Sequence, residues 1–336
     1  MSLEIKTATI DPVRQTYAHI ARRFGEKPAS RYQEATYDAQ AAVNFHYRPL
    51  WMPEKELNDP THTTLTMQDW YALKDPRQFY YGAYVQNRAK MQDTAESNYA
   101  FFEKRNLASL IEESVKTRII TGLLPLRHVE QTANLNMMSC CAYGYGTALT
   151  QACLYAAMDR LGIAQYISRI GLSLDDNSGE SLAVAKKAWM EEPVWQGVRA
   201  LCEELLVHKD WGELFVAQNL VVDTLLNIVF YQHFDKWLSA NGARDISMLT
   251  EFMQSCLKDQ AGWADNVLKT LAAENETNRE QLKIWMEKWQ EKAFAAYRPV
   301  IADLFGNEAD NILAETAVQI QQRAAKIGLI EKGKKA

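Results

Sequence analysis

The sequence predicts an all-α, many-helix bundle preceded by an extended, proline-rich N-terminal arm. Three observations lead there. Six of the nine prolines (Pro12, Pro28, Pro49, Pro53, Pro60, Pro76) fall in the first 76 residues, leaving only Pro125, Pro193 and Pro299 for the remainder. Proline removes a backbone donor and clashes with the preceding turn, so the early part should be loop-rich and the rest free to form helix. No stretch alternates with period two between turn signals, so strands should be few. Leu220-Val221-Val222, Leu225-Leu226 and Ile228-Val229-Phe230-Tyr231 cover most of a helical wheel. A helix apolar all round belongs at the centre of a large bundle.

The elements follow in order. Residues 1–65 are read as the arm and its loops, 66–330 as the helical domain, and 331–336 as a basic tail containing Lys332, Lys334 and Lys335. Asp75-Pro76 reads as an N-cap followed by proline at the first helical position, so a helix should run from Pro76 past Phe102. Further helices are expected near 107–120, 125–145, 147–169, 180–190, 194–207, 211–240, 246–273, 276–304 and 308–327. Gly171, Gly242, Gly306 and Gly328 fall where stops are wanted.

Composition narrows the function classes. The chain has 336 residues, 47% hydrophobic and 24% charged, enough for a sizeable core. A net charge of -5 argues against a nucleic-acid surface. Cys140, Cys141, Cys153, Cys202 and Cys256 are an odd number without CxxC spacing, which fits a reducing cytoplasm. The start Met1-Ser2-Leu3-Glu4-Ile5-Lys6 has no apolar core of a signal peptide. The most apolar run, Leu220 to Tyr231, is short for a membrane span and carries Asp223.

The chemistry-bearing patterns are incomplete. Asp159-Arg160-Leu161-Gly162-Ile163 and Asp259-Gln260-Ala261-Gly262-Trp263 each keep the spacing of Asp-Glu-x-x-His, the helical half-motif of di-iron bundles, but lack its Glu and His. None of His19, His46, His62, His128, His208 and His233 has a Glu three residues before it. Glu204 and His208 share a helix face, but without a second pair they read as an ordinary contact. The turn Leu174-Asp175-Asp176-Asn177-Ser178-Gly179-Glu180 could hold magnesium and a diphosphate, but only with a second acidic cluster opposite. A turn capping the next helix is the simpler reading. Gly144-Tyr145-Gly146 reads as small residues allowing close helix packing, with Cys140-Cys141 in the core before it.

Two segments carry a resemblance. Trp70-Tyr71-Ala72-Leu73-Lys74-Asp75-Pro76-Arg77-Gln78-Phe79-Tyr80-Tyr81-Gly82-Ala83-Tyr84-Val85-Gln86 and Asp210-Trp211-Gly212-Glu213-Leu214-Phe215-Val216-Ala217-Gln218-Asn219-Leu220-Val221 resemble recurring stretches in the β subunits of bacterial multicomponent monooxygenases. Arg31 to Tyr37 and Arg48-Pro49-Leu50-Trp51 look most like the phenol hydroxylase branch. The resemblance implies a ferritin-like fold and a dimer of αβγ protomers. It places the di-iron site in the α subunit and none in this chain. The implied partners are that α subunit, a small γ subunit, a second protomer, a regulatory protein and an NADH-dependent reductase.

The ligand spacing of such bundles is carried over by counting. A lone Glu stands about thirty residues before each Glu-x-x-His. The first lone Glu falls on Glu130, and its pair on Arg160 and Ile163. The second falls near Asp223, Leu226 and Asn227, with Leu226 taken as the position, and its pair on Gln260 and Trp263. Arg160 should then meet Glu130 across facing helices, because an isolated buried charge is very costly. Trp263 should be buried, filling volume.

Function would then lie in contact surfaces. An arm with Tyr32, Tyr37, Phe45, Tyr47, Trp51 and Met52 would suit wrapping a partner, or would pack on its own bundle. Tyr80, Tyr84 and Arg88 share a helix face, with Tyr81 beside it, and with Trp70 they form a second set of interface candidates. The alternative function is a stand-alone all-α, magnesium-dependent enzyme using the Asp175-Asp176 turn.

Overall fold

Helices account for nearly all of the regular structure in the computed structural model, which describes residues 17–41 and 48–331. Among those residues there is no strand. In chain order the helices are α1 (Ala18–Phe24), α2 (Arg31–Thr36), α3 (Tyr81–Lys104), α4 (Glu113–Arg118), α5 (Leu126–Tyr143), α6 (Thr147–Leu174), α7 (Glu180–Glu191) and α8 (Pro193–Leu206). They continue with α9 (Trp211–Val216), α10 (Asp223–Ile228), α11 (Asp235–Ala240), α12 (Arg244–Glu274), α13 (Glu276–Phe305) and α14 (Ala309–Ile327).

Four long elements close into a ring. α5 packs on α6, α6 on α12, α12 on the α9–α11 stretch, and that stretch back on α5. The α9–α11 stretch is a continuous 30-residue helix, Trp211–Ala240, interrupted by π-helical turns at Ala217–Val222 and Val229–Phe234. It is long and apolar enough to cross a membrane, but 94% of its most apolar window is buried inside the protein. Asp210 caps its start, accepting from the N–H groups of Gly212 at 2.8 Å and Glu213 at 3.2 Å. The other Asp210 oxygen accepts from Thr64 N–H at 2.8 Å, tying the early loops to the core. Gly212 is required there, since a Cβ would come within 2.6 Å of Thr63 Oγ1. α13 and α14 cover the ring from outside, and α3 lies against α12.

Several boundaries differ from expectation. The helix expected from Pro76 begins at Tyr81 instead. The Asp75 carboxylate is occupied by its neighbour Arg77, whose Nε donates to it at 2.9 Å, and Gln78 turns the chain with a φ of 54°. Gly171 is not a stop; it lies inside α6, which runs on to Leu174. Its missing side chain admits Leu182, Leu124 and Ser181 from neighbouring elements. Gly144 and Gly146 form the turn between α5 and α6, where Gly146 has a φ of 87°, rather than a helical contact. Gly306 and Gly328 do follow helix ends at positive φ.

The arm is not an extended strap over its described part. It forms α1 and α2 and docks on its own bundle. Ser30 and Gln33 form a reciprocal capping box at the start of α2. Tyr32 Oη accepts from Asp75 N–H at 2.9 Å, and Gln151 Nε2 of α6 donates to Thr36 Oγ1 at 3.1 Å. Ile20, Tyr32 and Tyr37 form one buried cluster with Tyr71 and Tyr80 packed against it, so the segment buries apolar surface on its own chain.

Gly171 and Gly262 give a paired test. At Gly171 a Cβ would lie 2.7–2.9 Å from three neighbouring atoms, whereas at Gly262 nothing lies within 4 Å. Gly171→Ala should destabilise the fold by about 1–3 kcal/mol through overpacking. Gly262→Ala should stabilise it by about 0.5–1 kcal/mol through helix propensity. Urea unfolding of the two variants beside the parent chain measures both.

Candidate functional site

The ring of four helices encloses a buried charge cluster. Arg160 of α6 has no exposed surface. Its Nη1 donates to Glu130 Oε2 of α5 at 3.0 Å, and its Nη2 donates to Asp223 Oδ2 of α10. Asp223 Oδ1 accepts from Gln218 Nε2 at 2.7 Å, and Gln218 Oε1 accepts from Asn136 Nδ2 at 2.9 Å. Gln218 belongs to a π-helical turn, which widens the helix by one residue and helps aim both Gln218 and Asp223 at the centre.

The electrostatics follow from burial and charge. Burial pushes the carboxyl groups of Glu130 and Asp223 upward, and Arg160 pulls both back. Burial also opposes the charge on Arg160, but the two carboxylates outweigh it and raise its pKa. A guanidinium is effectively never deprotonated. The centre of the bundle is therefore organised around a fixed cation.

The expected Glu130–Arg160 approach is present, and Trp263 is fully buried, packed edge-on against Phe215 at 5.3 Å. Ile163, Leu226 and Gln260 are buried as well. Asp223, about one helical turn before Leu226, is the residue of that neighbourhood that reaches Arg160. Two π-helical turns, Ala217–Val222 and Val229–Phe234, flank this segment. A central run of apolar residues interrupted by one Asp was the available signal.

A second guanidinium joins the two incomplete half-motifs. Arg88 of α3 donates through Nε and Nη2 to the two oxygens of Asp159, both at 2.8 Å, and through Nη1 to Asp259 Oδ2 at 3.1 Å. Tyr84 Oη donates to Asp159 Oδ1 at 2.9 Å and its ring stacks on Tyr155 at 4.5 Å. Tyr84 and Arg88 thus face inward, not outward as expected of an interface. The buried carboxylate of Asp159 requires a cation, and that requirement turns the helix face to the core.

The other interface candidates divide. Tyr32, Tyr37 and Trp70 are buried in their own chain, Trp70 lying 5.9 Å from Trp211. Tyr80 is half-buried, whereas Trp51 and Tyr81 are 75% and 68% exposed. Phe45 and Tyr47 lie outside the described residues, as does His46.

The remaining candidates are structural. His208 meets Glu213 at 3.0 Å rather than Glu204, which pairs with Lys292. Glu213 also accepts from Trp289 Nε1 at 2.8 Å, which places this motif residue at the base of α13 packing. Asp175 accepts from Ser181 N–H at 2.8 Å at the start of α7, while Asp176 and Asn177 adopt positive φ, the geometry of a tight turn. No group of three or more His, Cys, Asp or Glu that could hold a metal occurs among the described residues.

The central donor set does not fit a di-iron centre. Such a centre needs four carboxylates and two imidazoles converging. Here two carboxylates face a guanidinium, and the neighbouring frame positions hold Ile163, Leu226, Gln260 and Trp263. A metal cation placed between Glu130 and Asp223 would meet Arg160 at close range, a like-charge contact in a low-dielectric interior.

Residues 51–275 match the family model described as methane/phenol/alkene hydroxylase. The oxygenase component MhpL of phenol 2-monooxygenase from Acinetobacter pittii (strain PHEA-2) is 60% identical, with 98% of each chain covered. A subunit named beta, of the hydroxylase component of the toluene-4-monooxygenase system of Ectopseudomonas mendocina, is 24% identical over 75% of this chain and 77% of its own. The crystal structure of xenon-pressurized phenol hydroxylase from Pseudomonas sp. OX1 contains a chain of 46% identity that superposes with a TM-score of 0.91, covering 97% of this chain and 98% of that one. The chain is thus a helical bundle of the multicomponent monooxygenase hydroxylase class. It belongs to the methane/phenol/alkene hydroxylase family.

Arg160→Met should lower stability at neutral pH by about 3–5 kcal/mol, because it leaves Glu130 and Asp223 buried without a cation. The loss should shrink as pH falls. Both carboxyls already have raised pKa values, and once protonated they no longer need the guanidinium. Denaturant unfolding of parent and variant at several pH values checks both the size and the sign.

Proposed function

We propose that this chain is the non-catalytic β-type subunit of the oxygenase component of a phenol-oxidising multicomponent monooxygenase. Its role is to hold the iron-bearing α subunit in a larger αβγ assembly. The observation that carries the reading is the fixed Arg160 cation between Glu130 and Asp223, at the place where a metal-binding bundle converges its ligands. A bundle with that centre has the architecture of an oxygenase without the means to bind its metal. The names of the relatives support the assignment to a phenol-type oxygenase component. The partners proposed with it are the α subunit, a small γ subunit, a second protomer, a regulatory protein and an NADH-dependent reductase. The compartment proposed is the cytoplasm.

The chain's own residues would act by stiffness. Arg88 and Arg160 lock α3, α5, α6, α10 and α12 together, which gives a partner a rigid helical surface to pack against. No step of the oxidation is assigned to this chain.

Iron analysis of co-expressed subunits tests the reading. Purified alone, this chain should carry no stoichiometric iron and oxidise no phenol. Co-purified with the larger chain, it should be part of an active complex whose iron content is unchanged by Glu130→Gln. Stoichiometric iron on the isolated chain, or phenol oxidation by it, would refute the assignment.

A further inference from the structure

Several polar groups at the centre of the bundle are buried without a hydrogen bond from the protein. They are Glu130 Oε1 on α5, Arg160 Nε on α6, Tyr231 Oη in the second π-helical turn, both amide atoms of Gln260 on α12, and Tyr297 Oη on α13. All five residues are at most 3% exposed. The two hydroxyls lie near the charge cluster. Burial first, and next the charge of Glu130, push the Tyr231 phenol well above its ordinary range. Burial, then Cys202 and Glu130, do the same to Tyr297. Cys256, one helical turn before Gln260, lies within the field of Arg160, so that face of α12 looks to the centre.

Leaving such groups dry is costly. A buried donor or acceptor without a partner opposes folding by about one to two orders of magnitude in the equilibrium constant. The shortfall also has a stoichiometric cause. Arg160 reaches one oxygen of each carboxyl through Nη1 and Nη2, and Gln218 takes the second oxygen of Asp223. The second oxygen of Glu130 is left over.

We infer that these groups enclose a binding site for ordered water, with Glu130 Oε1, Tyr231 Oη and Tyr297 Oη at its core. The donor set selects water over other ligands. Arg160 Nε and the Gln260 amide nitrogen only donate, which disfavours a metal ion or any other cation. An ionised Glu130 Oε1 only accepts, which disfavours an anion. An apolar guest would leave every one of these atoms unpaired. Water donates and accepts at once, and a buried water makes about three hydrogen bonds, the number that one carboxylate oxygen and two hydroxyls offer.

A route from solvent leads toward the site. A polar cavity of about 510 Å³ opens between α10, α12 and α14, lined by Asp223, Thr224, Gln254, Ser255, Lys258 and Arg323 among others. Asp223 stands in its wall and binds Arg160 with the same carboxylate. Solvent therefore comes within one side chain of the buried cluster. The site depends only on this chain's own residues and holds whether or not the subunit reading above does.

Urea unfolding of the full-length chain reads the site by the sign of the effect. Tyr99→Phe is the calibrator, because Tyr99 Oη is buried and donates to Tyr166 O at 2.9 Å. It should raise the unfolding constant by about 2- to 10-fold, the worth of one hydrogen bond. Tyr231→Phe and Tyr297→Phe should each do likewise, since water bonds their hydroxyls. In a dry centre, deleting an unpaired hydroxyl would lower the constant instead. Magnetic relaxation dispersion of the water signal counts long-lived internal waters on the same proteins. Y231F/Y297F should lose at least one relative to the parent chain, and Tyr99→Phe none. An unfolding constant lowered by both single changes, or a water count unmoved by Y231F/Y297F, would overturn the site. Should the double variant not fold, Gln260→Leu carries the same comparison. A raised constant with a lost water supports the site, and a lowered constant or an unmoved water count overturns it.

Discussion

The structure depends on keeping Arg160 charged and buried. A guanidinium cannot shed its proton, so the bundle must surround it with carboxylates or fail to close. Glu130 and Asp223 come from helices on either side, and Gln218 and Asn136 extend the contact. This one requirement fixes the relative rotation of α5, α6 and α10. It also replaces the positive charge that a metal supplies in a bundle with a complete ligand set. The same physics that would hold a metal ion thus holds a side chain, and the centre becomes structural.

Arg88 repeats the device at the next layer. Asp159 and Asp259 lie one hundred residues apart in sequence and occupy corresponding places in two similar helical segments. In space a single residue from a third helix bridges them. The bridge makes α3 part of the core rather than a covering element. Buried ion pairs of this kind contribute little net stability against a well-packed apolar alternative, but they penalise wrong arrangements heavily. Their value here is that helices with apolar residues on several sides have only one register in which all charges are paired.

Charge placement also organises the exterior. On α5 and α6 the charged residues between Gln131 and Ser168 are consumed inside. The outer face is left with leucine, methionine and amides. Interior pairing and exterior apolarity are two sides of the same pair of helices over that span.

Much of this was legible in the sequence. Proline distribution and apolar periodicity determined that the chain is helical, where most helices lie, and that the 211–240 stretch is central, because these depend on local backbone and burial preferences. The altered half-motifs at Arg160 and Trp263 determined that the ligand set is incomplete, because ligand identity is a property of residue type. Tertiary structure alone decided the rest. It brought Asp223 to Arg160, a contact between residues 63 positions apart that counting along the sequence does not reveal. It turned Tyr84 and Arg88 inward, since the carboxylate of Asp159 that demands them is distant in sequence. It folded the described arm onto its own bundle, since an aromatic segment can satisfy the hydrophobic effect on whichever surface lies nearest. Helix content is a local property; the pairing of buried charges is settled only when the helices meet.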